Sequence, residues 1–218
     1  MALGGWDLVV SPAEVDERVL PGEDPREYVL RLAETKARQV AQTAPGEALI
    51  VAADTTVVDE QALQGSRSQA VILGKPRDQE EAALILRQLR GRTHLVYTGL
   101  AVFRLADQKL VRDLAVTEVI MRDFSEAELE EYVRSGDPMD KAGAYAIQHA
   151  GFHPVEKVNG CFTNVMGLPI CHLARMLLQF GFRPPNPVSE ACLAAIGVEC
   201  LISGEFLEQD LQEQAVRS

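Results

Sequence analysis

The sequence predicts an α/β fold, a mixed sheet flanked by helices, and three observations predict it. Helix-start signatures open amphipathic stretches at Asp24, Asp78 and Ser125. Residues 48–58 are apolar on both faces, as expected of a strand central in a sheet. Two long strand candidates, residues 94–105 and 109–121, meet at the polar turn ADQK, which predicts a hairpin. Strands and helices interleave, with hairpins as well as crossovers, and that pattern points to a mixed sheet.

Taken in order, residues 7–11 (DLVVS) read as a short strand, followed by the acidic, turn-rich stretch PAEVDERVLPGEDP. The first helix has Asp24 as N-cap, Pro25 at the first helical position and Glu27 at the third, a capping box with proline in its favoured place. One face of it carries Tyr28, Leu32 and Lys36 beside Val29, Ala33 and Val40. Residues 59–73 look like a loop or hairpin insertion. The second helix opens at Asp78 with Glu81 completing a capping box, buries Ala82, Ile85, Leu86 and Leu89, and stops at Gly91. The third runs from Ser125, boxed by Glu128, to Ser135. Residues 136–168 are irregular and rich in glycine and polar groups. A fourth helix begins near Pro169 and ends at Phe180 and Gly181. RPPNPV (183–188) then breaks the pattern as a linker. The expected organisation is one domain over residues 1–183 and a C-terminal extension over 184–218. Glu205, Glu208, Asp210 and Glu213 make that extension acidic and predict a solvated helix.

A chain of 218 residues is long enough to bury a substantial core. Its net charge of -11 argues against a general nucleic-acid or membrane-surface binder. An anionic small molecule remains compatible, provided local lysines and a metal ion receive it. Cys161, Cys171, Cys192 and Cys200 include no C-x-x-C pair, so zinc is not expected and thiols in a reducing cytoplasm are. No apolar run approaches the ~20 residues that span a bilayer. The first residues, MALGGWDLVV, lack the basic flank of a signal peptide. A cytoplasmic protein with no nucleic-acid or membrane partner is the expectation.

Several polar residues stand where a core would not place them. Asp54 interrupts the apolar run LIVAADTTVVD, and a buried, unpaired carboxylate costs several kcal/mol. Lys75 sits in the tight turn LGKP, Lys36 shares a helix face with Tyr28 and Leu32, and Glu17 lies in the acidic loop. Asp140 and Lys141 open DKAGAY, and Gln148 ends AYAIQ. Two acids and two lysines in one cleft suit metal-assisted hydrolysis of a phosphate ester. The acids hold a hard cation through oxygen, the lysines neutralise phosphate oxygens, and one carboxylate takes a proton from water. Taken singly, each has a bland reading: Asp54 as a buried acid paired with Lys36 or Lys75, the lysines as solvated, Glu17 as a loop charge.

The blocks VDE (15–17), PGEDPREYVLRLAETKA (21–37), AADTTV (52–57), LGKP (73–76), THLVYTGLAV (93–102), SGDPMDKAGAYAIQ (135–148) and GCFTNVMGLP (160–169) resemble, in order and spacing, the Maf family of nucleoside triphosphate pyrophosphatases. The resemblance covers almost all of residues 3–181. It implies two lobes with a central cleft and hydrolysis of a nucleoside triphosphate to monophosphate and pyrophosphate, helped by a divalent metal, Mg or Mn. By the same resemblance Asp54 is the proton acceptor, Glu17 and Asp54 form the metal site, and Lys36 and Lys75 bind phosphate. Thr55 and Gln148 are the specificity positions. The branch acting on dTTP and UTP carries Asp-Thr and Tyr-x-Ile-Gln at these places, where the 7-methyl-GTP branch carries Asp-Gln and Glu-Gly. ADT and AYAIQ therefore resemble the dTTP/UTP type, and a glutamine amide offers a donor and an acceptor to match a uracil or thymine edge.

The resemblance also marks departures. His149 stands where the family has glycine. The opening MALGG resembles the tail of the family's first helix, so the family's first strand, its S-x-S-P-R-R turn and most of that helix have no counterpart. The expectation is that Met1 is internal to a longer reading frame; the rival is a shortened chain with impaired activity. Two further functions stay open on resemblance: a non-catalytic nucleotide-binding regulator of cell division, and a purine (ITP-type) house-cleaning pyrophosphatase. A homodimer is the assembly the family suggests.

Overall fold

The computed structural model describes residues 5–60 and 70–197. Its strands are β1 (Leu49–Asp59), β2 (Val71–Leu73), β3 (Thr93–Arg104), β4 (Lys109–Met121) and β5 (Val155–Asn159). Its helices are α1 (Pro25–Ala41), α2 (Gln79–Leu89), α3 (Glu126–Arg134), the single turn α4 (Phe162–Val165), α5 (Ile170–Leu178) and α6 (Val188–Ile196). Two 3-10 turns, Asp137–Asp140 and Ala142–Ala144, follow α3.

The strands form one sheet in the order β2-β1-β3-β4-β5. The class is α/β as expected, but every pairing is antiparallel rather than mixed. The expected crossover does exist. Both β2 and β3 run against β1, so they run in the same direction, with α2 connecting them. β1 lies between them, so the two like-directed strands never become neighbours.

Pleating divides the sheet into two faces. Tyr97, Gly99, Ala101 and Phe103 of β3 turn toward α1, whose Val29, Leu32, Ala33 and Ala37 are completely buried. Val96, Leu100 and Val102 turn the other way, toward α2 and α3 at one end and α5 at the other. α6 docks on α5 through Val188 against Ile170 and Ala174. Gly99 is required where α1 crosses β3: a Cβ there would stand 2.4 Å from the carbonyl oxygen of Val29.

Local signals were followed with some changes. Ser125 and Glu128 form the complete reciprocal capping box. Asp24 caps α1 by accepting from the Arg26 N–H instead. Asp78 caps α2 through the Glu81 N–H, while Glu81 itself turns to the Arg77 N–H at 2.7 Å. Residues 7–11 are not a strand. They have no ladder partner among the described residues, and Val9 and Val10 are almost fully exposed. The stretch 59–73 contains the end of β1 and β2, with 61–69 outside the described residues. The segment 136–168 holds β5 and α4, both too short to leave a periodic signal. The acidic residues expected to form a solvated helix, Glu205 to Glu213, lie outside the described residues.

Candidate active site

β2 pairs only with Val57, Val58 and Asp59, so the stretch of β1 before Val57 presents its far edge without a strand partner among the described residues. Along that edge lies a cavity of about 460 Å³, within the range that takes a small organic ligand. Because the edge is open, side chains from both faces of β1 reach the same hollow: Asp54 from the α1 side, Thr55 from the other.

Asp54 is 8% exposed. Directly opposite it in the ladder is Gly99. The missing side chain lets α1 settle close enough for Lys36, two turns beyond Tyr28, to reach Asp54: Lys36 Nζ donates to Asp54 Oδ1 at 2.5 Å. The same ammonium lies 2.7 Å from Glu17 Oε1. Burial raises the Asp54 carboxyl above the ordinary aspartate value, a push that the bond from Lys36 opposes but does not cancel. Burial works against the Lys36 ammonium too, but its two carboxylate partners more than offset this and hold its pKa above that of a free lysine.

Glu17 comes from an irregular segment, and α1 fixes it. Tyr28 Oη donates to the Glu17 carbonyl at 2.9 Å, and Arg31 reaches the Arg18 carbonyl at 3.1 Å. Lys75 stands on the exposed turn after β2 and forms no ion pair among the described residues; its charge favours ionised Asp54. The Gly143 N–H donates to Gly74 O at 3.1 Å, tying the turn that carries Lys75 to the segment 137–148. Gly143 has φ +70, and a Cβ there would meet Val57 at 2.6 Å, so only glycine lets this segment lie on β1.

On the other face, Thr55 Oγ1 shares a hydrogen with Thr98 Oγ1 at 2.8 Å and lies 3.4 Å from Gly167 O. Behind them fully buried Asn164 donates to Val96 O and Thr117 Oγ1, at 3.1 and 2.9 Å, which fixes the wall of Val165, Met166 and Gly167. Gln148 completes the rim.

All six residues given a site role from the sequence, Glu17, Lys36, Asp54, Thr55, Lys75 and Gln148, line this one cavity. It is also lined by Tyr28, Tyr145, Met166, Asp140 and Lys141, to which the sequence attaches no role. Tyr28 had a legible signal, standing two helical turns before Lys36 on the same face. Tyr145 and Met166 sit in irregular stretches with no period to read.

Among the described residues no three His, Cys, Asp or Glu side chains gather as a ready-made metal cage. Glu17 and Asp54 do converge, both within 2.7 Å of one nitrogen. Two hard oxygen donors fit Mg²⁺, which is commonly held by one or two carboxylates with substrate phosphates supplying the rest. The donor set therefore fits a cation that arrives with a nucleotide.

The profile of the Maf-like protein family matches residues 1–180. This chain belongs to the Maf family. A dTTP/UTP pyrophosphatase of Anaeromyxobacter dehalogenans (strain 2CP-C) is 49% identical over 183 residues, 83% of this chain and 87% of that protein. Proteins of the same name are 44% identical over 178 residues in Pelotomaculum thermopropionicum, covering 82% of this chain and 88% of the relative, and 39% identical over 180 residues in Dehalococcoides mccartyi, covering 83% and 76%. No helix among the described residues is long and apolar enough to cross a membrane.

Proposed function

We propose that this Maf protein hydrolyses nucleoside triphosphates, namely dTTP, UTP and modified relatives, to the monophosphate and pyrophosphate. The observation that carries the reading is the cavity in which Asp54 and Glu17 share Lys36, with Lys75 on the facing turn. The dTTP/UTP pyrophosphatase name of its relatives supports the substrate class.

In this reading Asp54 is the proton acceptor. Its raised pKa makes it a better base than an exposed aspartate, while the charges of Lys36 and Lys75 favour its ionised form. A water oxygen forms the new bond to the α-phosphorus, its proton passes to the Asp54 carboxylate, and the bond from that phosphorus to the bridging oxygen breaks with pyrophosphate leaving. Lys36 and Lys75 take the phosphate oxygens. Lys36 can turn from Glu17 and Asp54 to phosphate as the negative charge enters, so the resting ion pairs store the cation where it is needed. Most of the catalytic effect in such a transfer is positioning and charge stabilisation. Glu17 and Asp54 would hold Mg²⁺ or Mn²⁺, which would supply further neutralisation of the triphosphate charge. Thr55 and Gln148 read the pyrimidine. The proposed compartment is the cytoplasm, where the nucleotide pool is, and the proposed assembly is a homodimer.

The test is pyrophosphate release from a panel of dTTP, UTP, ITP, ATP and GTP with Mg²⁺ or Mn²⁺. Preferential release from dTTP and UTP supports the reading. Preference for ITP would move the chain to the purine class, and tight dTTP binding without turnover would make it a regulator.

A further inference from the structure

In the reading above Gln148 meets the base, yet Gln148 is an exposed residue on a segment with no regular structure beyond two single 3-10 turns. An amide discriminates between bases only if its direction is fixed, because a side chain that turns freely offers donor and acceptor to either partner. Something must therefore hold the backbone on both sides of it.

Both sides lead to Tyr132. Its hydroxyl accepts from the Ala146 N–H at 3.0 Å and donates to Asp137 Oδ2 at 2.7 Å. One oxygen thus ties together the two ends of the loop that carries Asp140, Lys141 and Tyr145 into the cavity, and its second end, Ala146, lies two residues before Gln148. On the other flank of Gln148, the His149 ring packs edge-on against the Tyr132 ring at 4.8 Å, and His149 Nδ1 accepts the N–H groups of Phe152 and Gly151 at 2.9 and 3.3 Å. Phe152 in turn stacks on Tyr132 with ring centroids 4.3 Å apart. Tyr132 is itself buried, 2% exposed, on α3.

We infer that Tyr132 is a positioning residue for base selection: through Asp137, Ala146 and His149 it sets the loop on which Gln148 meets the pyrimidine. It does not touch the cavity itself, and is not among the residues that line it. Burial and the neighbouring Asp137 carboxylate push the Tyr132 hydroxyl well above the ordinary tyrosine pKa, so it remains protonated and keeps donating throughout the working pH range. The arrangement also gives a definite role to His149, the residue that departs from the family's glycine. Its ring supplies the second anchor that a glycine could not.

This inference rests on the proposed pyrimidine pyrophosphatase activity, and the experiment separates the two. Tyr132→Phe removes both hydrogen bonds and keeps the stacked ring. The measurement is kcat and KM for pyrophosphate release from dTTP, UTP and GTP by the wild type and by Tyr132→Phe and His149→Gly, with thermal melts of each. The expected result for Tyr132→Phe is a KM for dTTP and UTP raised about tenfold with kcat changed less than about threefold, and a fall in the dTTP/GTP ratio of kcat/KM. His149→Gly, which leaves the hydroxyl in place, is expected to move the same ratio in the same direction by a smaller factor. Equal losses on all three nucleotides, or unchanged KM in a folded Tyr132→Phe, would overturn the inference while leaving the activity standing. A wild type that releases no pyrophosphate from dTTP or UTP would overturn the activity first. Should Tyr132→Phe fail to fold, an unchanged dTTP/GTP ratio in His149→Gly overturns the inference by itself.

Discussion

Gly99 stands directly opposite Asp54 across the β1–β3 ladder, and the space its side chain does not fill is taken by the backbone of α1 at Val29. The absent side chain on one strand is what brings a cation to the acid on the next. Any side chain at 99 has to push the helix away, and Lys36 with it.

Gly99→Ala is accordingly predicted to lose stability by about 1–3 kcal/mol, the usual cost of forcing atoms into a packed contact, and to weaken catalysis as well. Denaturant unfolding combined with activity at matched folded fraction checks this. A variant equally stable and equally active would show that α1 does not need the close approach.

Lys36→Met keeps the length of the stem and deletes the ammonium. Asp54 then retains its burial and loses the bond that opposes it, so its pKa moves further up from an already raised position. The predicted outcome is a rate loss of about a hundredfold and an acidic limb of the pH–rate profile displaced to higher pH. A limb that stays in place would mean that the group titrating there is not Asp54.

His94 gives a pH prediction away from the chemistry. It is 2% exposed, its Nε2 meets Tyr145 Oη at 2.8 Å, and burial lowers its pKa from 6.5 to about 4. The fold holds the neutral ring, so its contribution is complete above the unfolded value of 6.5 and is lost as pH falls toward 4. A difference in unfolding free energy of about 3 kcal/mol should develop over that window between the wild type and His94→Gln, whose side chain cannot titrate. Parallel stability curves from pH 7 to 4 would contradict it.

How much of this is legible in the sequence can be seen residue by residue. Asp54 is legible because an acid in an apolar run demands a partner, and Lys36 because the helix period places it in line with Tyr28 and Leu32. Three helix starts are marked by their caps, though only Ser125 and Glu128 close the full box; Glu81 instead reaches back to the Arg77 backbone. The strand direction is not legible. The crossover from β2 to β3 passes over β1, and insertion of a strand between two like-directed ones leaves no trace in local pattern. Tyr132 is hidden for a different reason. On α3 it reads as one more apolar position beside Leu129 and Val133, and only the folded loop shows what its hydroxyl holds.

Thr55 is tied to Thr98 and faces Gly167 on the wall opposite Lys36. Thr55→Val preserves the shape and removes the hydroxyl, while Thr98 keeps Asn164 O as an acceptor at 3.4 Å. The predicted result is a fold that melts within a few degrees of the wild type and a selectivity for dTTP and UTP over GTP reduced about tenfold. Selectivity kept intact would remove Thr55 from base reading and leave it as a packing residue.

The most direct test concerns Asp54 itself. A carboxyl whose pKa is raised on folding favours its protonated form in the native state, so its ionisation at neutral pH costs stability. Asp54→Asn should therefore melt at or above the wild-type temperature while pyrophosphate release from dTTP falls by at least about a hundredfold. A folded Asp54→Asn that releases pyrophosphate at the wild-type rate would contradict the account at its centre.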